Sequence, residues 1–100
     1  MRTIYKYEIE ITDRFTIDMP RNATPFACQV QQGKPQMWAI VNPEAPIVPK
    51  HFRLIGTGHP ILNPNDLRYI GTFPMSEVKL VWHLFEETET HTMIESLTPD

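Results

Sequence analysis

One hundred residues, 41% of them hydrophobic and 21% charged, fit a single globular domain with one core. No stretch approaches the roughly 20 consecutive apolar residues that a membrane-spanning helix requires. The formal charge of −3, with nine basic side chains scattered along the chain, argues against duplex nucleic acid as a partner, because phosphate neutralisation needs clustered lysine and arginine.

The opening Met1 to Glu8 turns polar before a signal-peptide core can form, and the lone Cys28 excludes an internal disulfide. Both features predict a cytoplasmic protein, with Cys28 as a small core residue on a strand. From Ile4 to Ile11 apolar and charged residues alternate, the period-two mark of a half-buried strand. Thr12-Asp13-Arg14 then connects to a second alternating run with Phe15, Ile17 and Met19, and the two runs predict an N-terminal hairpin. Pro20 to Pro25 breaks the second strand.

The third run, Phe26 to Gln32, places Phe26, Cys28 and Val30 on one face. Gln32-Gly33-Lys34-Pro35 supplies turn chemistry, so the next run folds back antiparallel. That run, Gln36 to Asn42, is apolar on both faces and predicts a central strand covered on both sides. Three prolines between Pro43 and Pro49 predict an extended crossing loop, neither helix nor paired strand.

A five-residue word then appears twice: Arg53-Leu54-Ile55-Gly56-Thr57 and Arg68-Tyr69-Ile70-Gly71-Thr72. Each copy reads as a strand, the first over His51 to Thr57 and the second over Leu67 to Phe73, with a turn-rich loop between them. A glycine inside a strand marks a bulge or the close approach of another segment. The last strand is predicted over Val78 to Phe85, apolar on much of both faces. Trp38, Tyr69 and Trp82 are assigned to the core. Residues 87–100 form an acidic, threonine-rich tail beyond a domain spanning 1–86. Seven short, mainly antiparallel strands with little or no helix predict an all-β fold, a compact sandwich or small open barrel.

Several of these words resemble a family of small bacteriophage proteins that carries a domain of unknown function. The resemblance rests on Ile4-Tyr5-Lys6-Tyr7, Glu10-Ile11-Thr12, Met37-Trp38-Ala39-Ile40-Val41 with Glu44-Ala45-Pro46, Phe52 to Ile61, Tyr69 to Phe73, and Val81 to Phe85. It covers residues 4 to 86, implies a phage context and the host cytoplasm, and brings no catalytic residue with it.

The chemistry-bearing residues give few leads. His51, His59, His83 and His91 are spaced by 8, 24 and 8 residues, without the close pair that anchors a zinc site, so no metal is predicted. The only serines, Ser76 and Ser96, lie in a turn and in the tail. Cys28 and His83 could approach one another as nucleophile and base, yet nothing around them singles them out. The chain therefore reads as a non-enzyme with no cofactor. Gly56-Thr57-Gly58-His59-Pro60 starts like a phosphate-cradling loop, but proline removes a donor and no helix follows. Arg53, Thr57, His59 and Arg68 are the candidate surface for a partner or an anionic small molecule.

The resulting expectation is a phage-encoded binding protein that antagonises a host protein, such as a defence component, by protein–protein contact. The alternatives are an oligomeric binder sequestering a nucleotide-type signal and a virion structural or assembly component. Exposed strand edges predict a homodimer.

Overall fold

The structure, a computed structural model, describes residues 1–75 and 79–88. Two antiparallel sheets stack as an open sandwich that does not close into a barrel. The strands are β1 (Thr3–Glu8), β2 (Arg14–Pro20), β3 (Thr24–Gln31), β4 (Lys34–Val41), β5 (Ile47–Gly56), β6 (Leu67–Met75) and β7 (Leu80–Glu87), with one 3-10 turn at Pro64–Asp66. One sheet runs β1-β4-β3 and the other β2-β5-β7-β6. The core lies between them: Met37, Ala39 and Val41 face Met19, Phe52, Leu54, Phe73 and Leu84, all fully or almost fully buried.

The predicted N-terminal hairpin does not form. β1 pairs with β4 in one sheet and β2 pairs with β5 in the other. Ile9 explains the crossing: its side chain is buried in the core while its N–H still bonds Pro35 O, so the chain leaves the first sheet inward rather than reversing beside it. A tight turn from Glu10 to Thr12 then delivers Asp13, whose carbonyl accepts from Leu54 N, to the second sheet. The predicted β3–β4 hairpin is present, with Gln32 and Gly33 both at positive φ (53° and 79°).

The proline-rich segment is also corrected. β5 begins at Ile47 and pairs with β2 through Pro49, which lies opposite Asp18. Here β5 has a neighbour on one side only, because β7 joins it from Phe52 onward, so Pro49 occupies an edge position that tolerates a missing donor. The two copies of the repeated word sit on β5 and β6, on either side of β7. β4 is central as predicted but not covered on both sides, since Ile40 is exposed and Trp38 half-buried on its outer face.

Two bulges decide which residues face inward. In β3 the register shifts between Pro25 and Ala27, leaving Phe26 as the extra, exposed residue while Pro25 and Cys28 both point to the core side. In β6 it shifts between Tyr69 and Gly71, with Ile70 buried in the bulge. The two edge strands pack on each other there. A Cβ on Gly71 would lie 2.6 Å from Cys28 Sγ and 3.4 Å from its backbone nitrogen, so only glycine admits this approach.

The same seam holds a buried ion cluster. Glu86 Oε2 sits 2.6 Å from Lys50 Nζ, and Glu86 Oε1 accepts from Arg68 Nη2 at 2.7 Å. Lys50 also donates to Ala23 O (3.1 Å) and Arg68 to Pro25 O (2.9 Å), which ties the second sheet to the start of β3. Lys50 and Glu86 are 8% and 7% exposed, so each depends on the other for charge compensation. Glu86 thus belongs to the core, and β7 runs through Glu87, with Thr88 N donating to Asp66 O. Val78, Ser76 and the tail from residue 89 onward lie outside the described residues.

Removing Glu86 leaves Lys50 as an unpaired buried charge, so Glu86→Ala should cost about 3–5 kcal/mol in urea unfolding. Arg68, whose side chain is 44% exposed, can hydrate, and Arg68→Ala should cost less than half as much. Equal losses from the two substitutions would contradict this assignment.

Candidate functional site

The β6 bulge builds a hydrogen-bonded chain of side chains on the outer surface. In a regular strand Tyr69 and Thr72, three residues apart, would face opposite sides. The extra residue puts both on the outside, where Tyr69 OH and Thr72 Oγ1 form a short hydrogen bond. Thr72 Oγ1 lies 3.0 Å from His83 Nδ1, and His83 Nε2 lies 2.8 Å from Thr57 Oγ1. Thr57 in turn reaches Val81 O at 3.4 Å. With the proton on His83 Nε2 the chain runs in one sense: Tyr69 donates to Thr72, Thr72 to His83, His83 to Thr57, and Thr57 to the carbonyl.

This network crosses β6, β7 and β5 and is flanked by apolar surface. Tyr69 packs edge-on against Phe85 with ring centroids 5.7 Å apart, and Val81 is exposed on the same face. Tyr69 is 55% exposed, so its predicted place in the core is corrected: the bulge turns it out. Trp38 and Trp82 are half-buried rather than enclosed. Trp82 Nε1 has no hydrogen-bond acceptor among the described residues.

Of the four predicted residues, Arg53 and His59 come together. They line a cleft of about 650 Å³ beside β5, where β2 has ended, with Asp13, Arg14, Pro60 and Leu62. Arg53 is 8% exposed and its Nη1 donates to Leu62 O at 2.7 Å, fastening the β5–β6 loop over the sheet. His59 folds back by a turn bond from its N–H to Gly56 O, and its ring would lie 2.9 Å from a Cβ on Gly56. Thr57 and Arg68 do not line this cleft: Thr57 belongs to the His83 network, and Arg68 is committed to Glu86 and Pro25 O. Sequence reasoning missed His83 and Thr72 as members of an organised surface. Their only signal was the outward parity of 81, 83 and 85 beside a glycine-marked bulge.

Cys28 and His83 are not brought together. Cys28 packs inward against Gly71, and His83 is held on the outer face by two threonines. Burial pushes the Cys28 thiol up to about 11 from an ordinary 9.0. Among the described residues, no group of three or more His, Cys, Asp or Glu is placed to hold a metal ion, and no helix is long and apolar enough to cross a membrane.

The chain belongs to the DUF7352 family, a domain of unknown function, whose family model it matches over residues 1–94. No curated protein and no solved structure matches it.

The raised Cys28 thiol makes a kinetic prediction. At pH 8 the folded thiolate fraction should be about a hundredfold below that of an ordinary thiol, with alkylation by iodoacetamide slowed in proportion until the chain is unfolded in urea. A folded pKa above the unfolded one favours the protonated folded state, so this contribution to stability is complete below pH 9 and lost as pH rises towards 11. Labelling at the unfolded rate under native conditions would contradict it.

Proposed function

We propose that this DUF7352 protein is a non-enzymatic, phage-encoded binding protein that meets a host protein through the outer face of its β5-β7-β6 sheet and blocks it by contact. The observation that carries this reading is the Tyr69–Thr72–His83–Thr57 chain, which holds exposed side chains in fixed positions beside Phe85 and Val81. Ordering side chains at a surface costs entropy, and a face that has already met this cost binds a partner with less loss. Tyrosine with a polar tip and an apolar flank is also the residue type that dominates interface hot spots.

The phage context comes from the sequence resemblance and makes a host protein, such as a defence component in the host cytoplasm, the natural target. The contact is sterically inhibitory: the face covers a surface that the host protein needs for its own work. Among the described residues β1 has a partner on one side only, and it exposes Ile4 and Tyr5, which makes it the edge through which two copies would pair as a homodimer.

Affinity purification from infected host cells should retain one polypeptide with the wild-type protein, and the purified pair should reassemble. Tyr69→Ala and His83→Ala should each weaken that reconstituted complex at least tenfold, about 1.4 kcal/mol, with unchanged circular dichroism. Absence of any reconstituting polypeptide, or equal affinity in both variants, would overturn the proposal.

A further inference from the structure

Among the described residues, the charge on Arg53 is unlike the other buried charges. Lys50 and Glu86 compensate each other, and Arg68 shares the same carboxylate. Arg53 is as buried as Lys50, yet its guanidinium makes a single hydrogen bond, to Leu62 O, among the described residues. No carboxylate of those residues comes within ion-pair distance of it, although Asp13 lines the same cleft. Of the five donors in its rigid fork only Nη1 is bonded to protein, and the remaining nitrogens are not among the atoms cut off from solvent, so they face the cleft.

The surroundings of Arg53 match a ligand that would supply the missing charge. The cleft of about 650 Å³ lies within the size range of small-molecule sites. Arg14 and His59 add further donors at its rim, while Ile55, Pro60 and Leu62 give it an apolar wall. Asp13 adds an acceptor suited to a hydroxyl or amino group. A second recess, about 510 Å³, is lined by Lys6, Lys34 and three glutamines and lacks both an apolar wall and a buried charge.

We infer that the Arg53 cleft binds a phosphate monoester of nucleoside size. The phosphate sits on the free edge of the Arg53 fork, assisted by Arg14 and His59, the organic body lies against Ile55, Pro60 and Leu62, and Asp13 accepts from a hydroxyl or amine. A planar guanidinium meets a phosphate through two parallel hydrogen bonds, which a lysine in this place would not reproduce. The site needs no partner protein, so its failure and that of the binding-face proposal are separable.

The test is a two-dimensional amide NMR titration of the full chain with adenosine 5′-monophosphate, and separately with inorganic phosphate and with adenosine. Saturable shifts at Arg14, Arg53, His59 and Leu62 are expected with the nucleotide, with at least tenfold weaker saturation by phosphate or adenosine alone. Arg53→Gln should weaken nucleotide binding more than tenfold. Because Arg53 also fastens the loop through Leu62, Arg14→Gln is the companion variant, expected to bind several-fold more weakly with an otherwise native spectrum. No saturation at millimolar nucleotide, phosphate binding as tight as the nucleotide, or unchanged affinity in Arg14→Gln would each overturn the inference.

Discussion

Glu86 is the group on which the arrangement of the two sheets depends. Its two oxygens are shared between Lys50 on β5 and Arg68 on β6, and those cations reach on to the carbonyls of Ala23 and Pro25 where β3 begins. Apolar packing between sheets is non-directional and would tolerate sliding. An ion cluster buried at the seam does not, because a one-residue slip of β7 would turn Glu86 to the outer face and strand Lys50 in the core. The cluster therefore acts on register, and register sets which side chains reach the surface on the far side of the sheet.

The bulges in β3 and β6 are the second half of that constraint. They let the two edge strands approach until Cys28 touches Gly71, and each reverses the facing of every residue beyond it. Phe73 stays in the core although Tyr69, at the same parity, points out to join Thr72, His83 and Thr57. The hydrogen-bonded chain on the outer face is thus a consequence of how the seam is closed. On the same face, at the end of β2 where the loop from Gly58 to Asp66 folds over, Arg53 is mostly buried and, among the described residues, has no carboxylate within ion-pair distance.

Much of the architecture was legible in the chain. Alternating runs, runs apolar on both faces and the repeated word located the seven strands, Gln32-Gly33 predicted the β3–β4 hairpin, and Gly71 signalled the close approach that the structure shows. What stayed hidden was non-local. Alternation records that one face of a strand is apolar and nothing about which sheet receives it, so β1 and β2 read as a hairpin when Ile9 carries the chain between sheets. Prolines read as strand-breaking because their cost depends on which neighbours are present, and at Pro49 only one side is paired. Of the candidate surface, Arg53 and His59 share a cleft, whereas Arg68 has its charge spent inside the seam. Tyr69 and Phe26 were misplaced for one reason: a single inserted residue in each strand reverses the parity from which facing is read.

The outer face of β5-β7-β6 is the surface through which we propose that this protein meets its partner. Its most direct test is photo-cross-linking in infected cells, with benzoylphenylalanine incorporated in place of Tyr69 or, on the outer face of the opposite sheet, in place of Gln29. The account predicts a discrete adduct to a second polypeptide from position 69 and none from position 29. An adduct from position 29 alone, or from neither position, would contradict it.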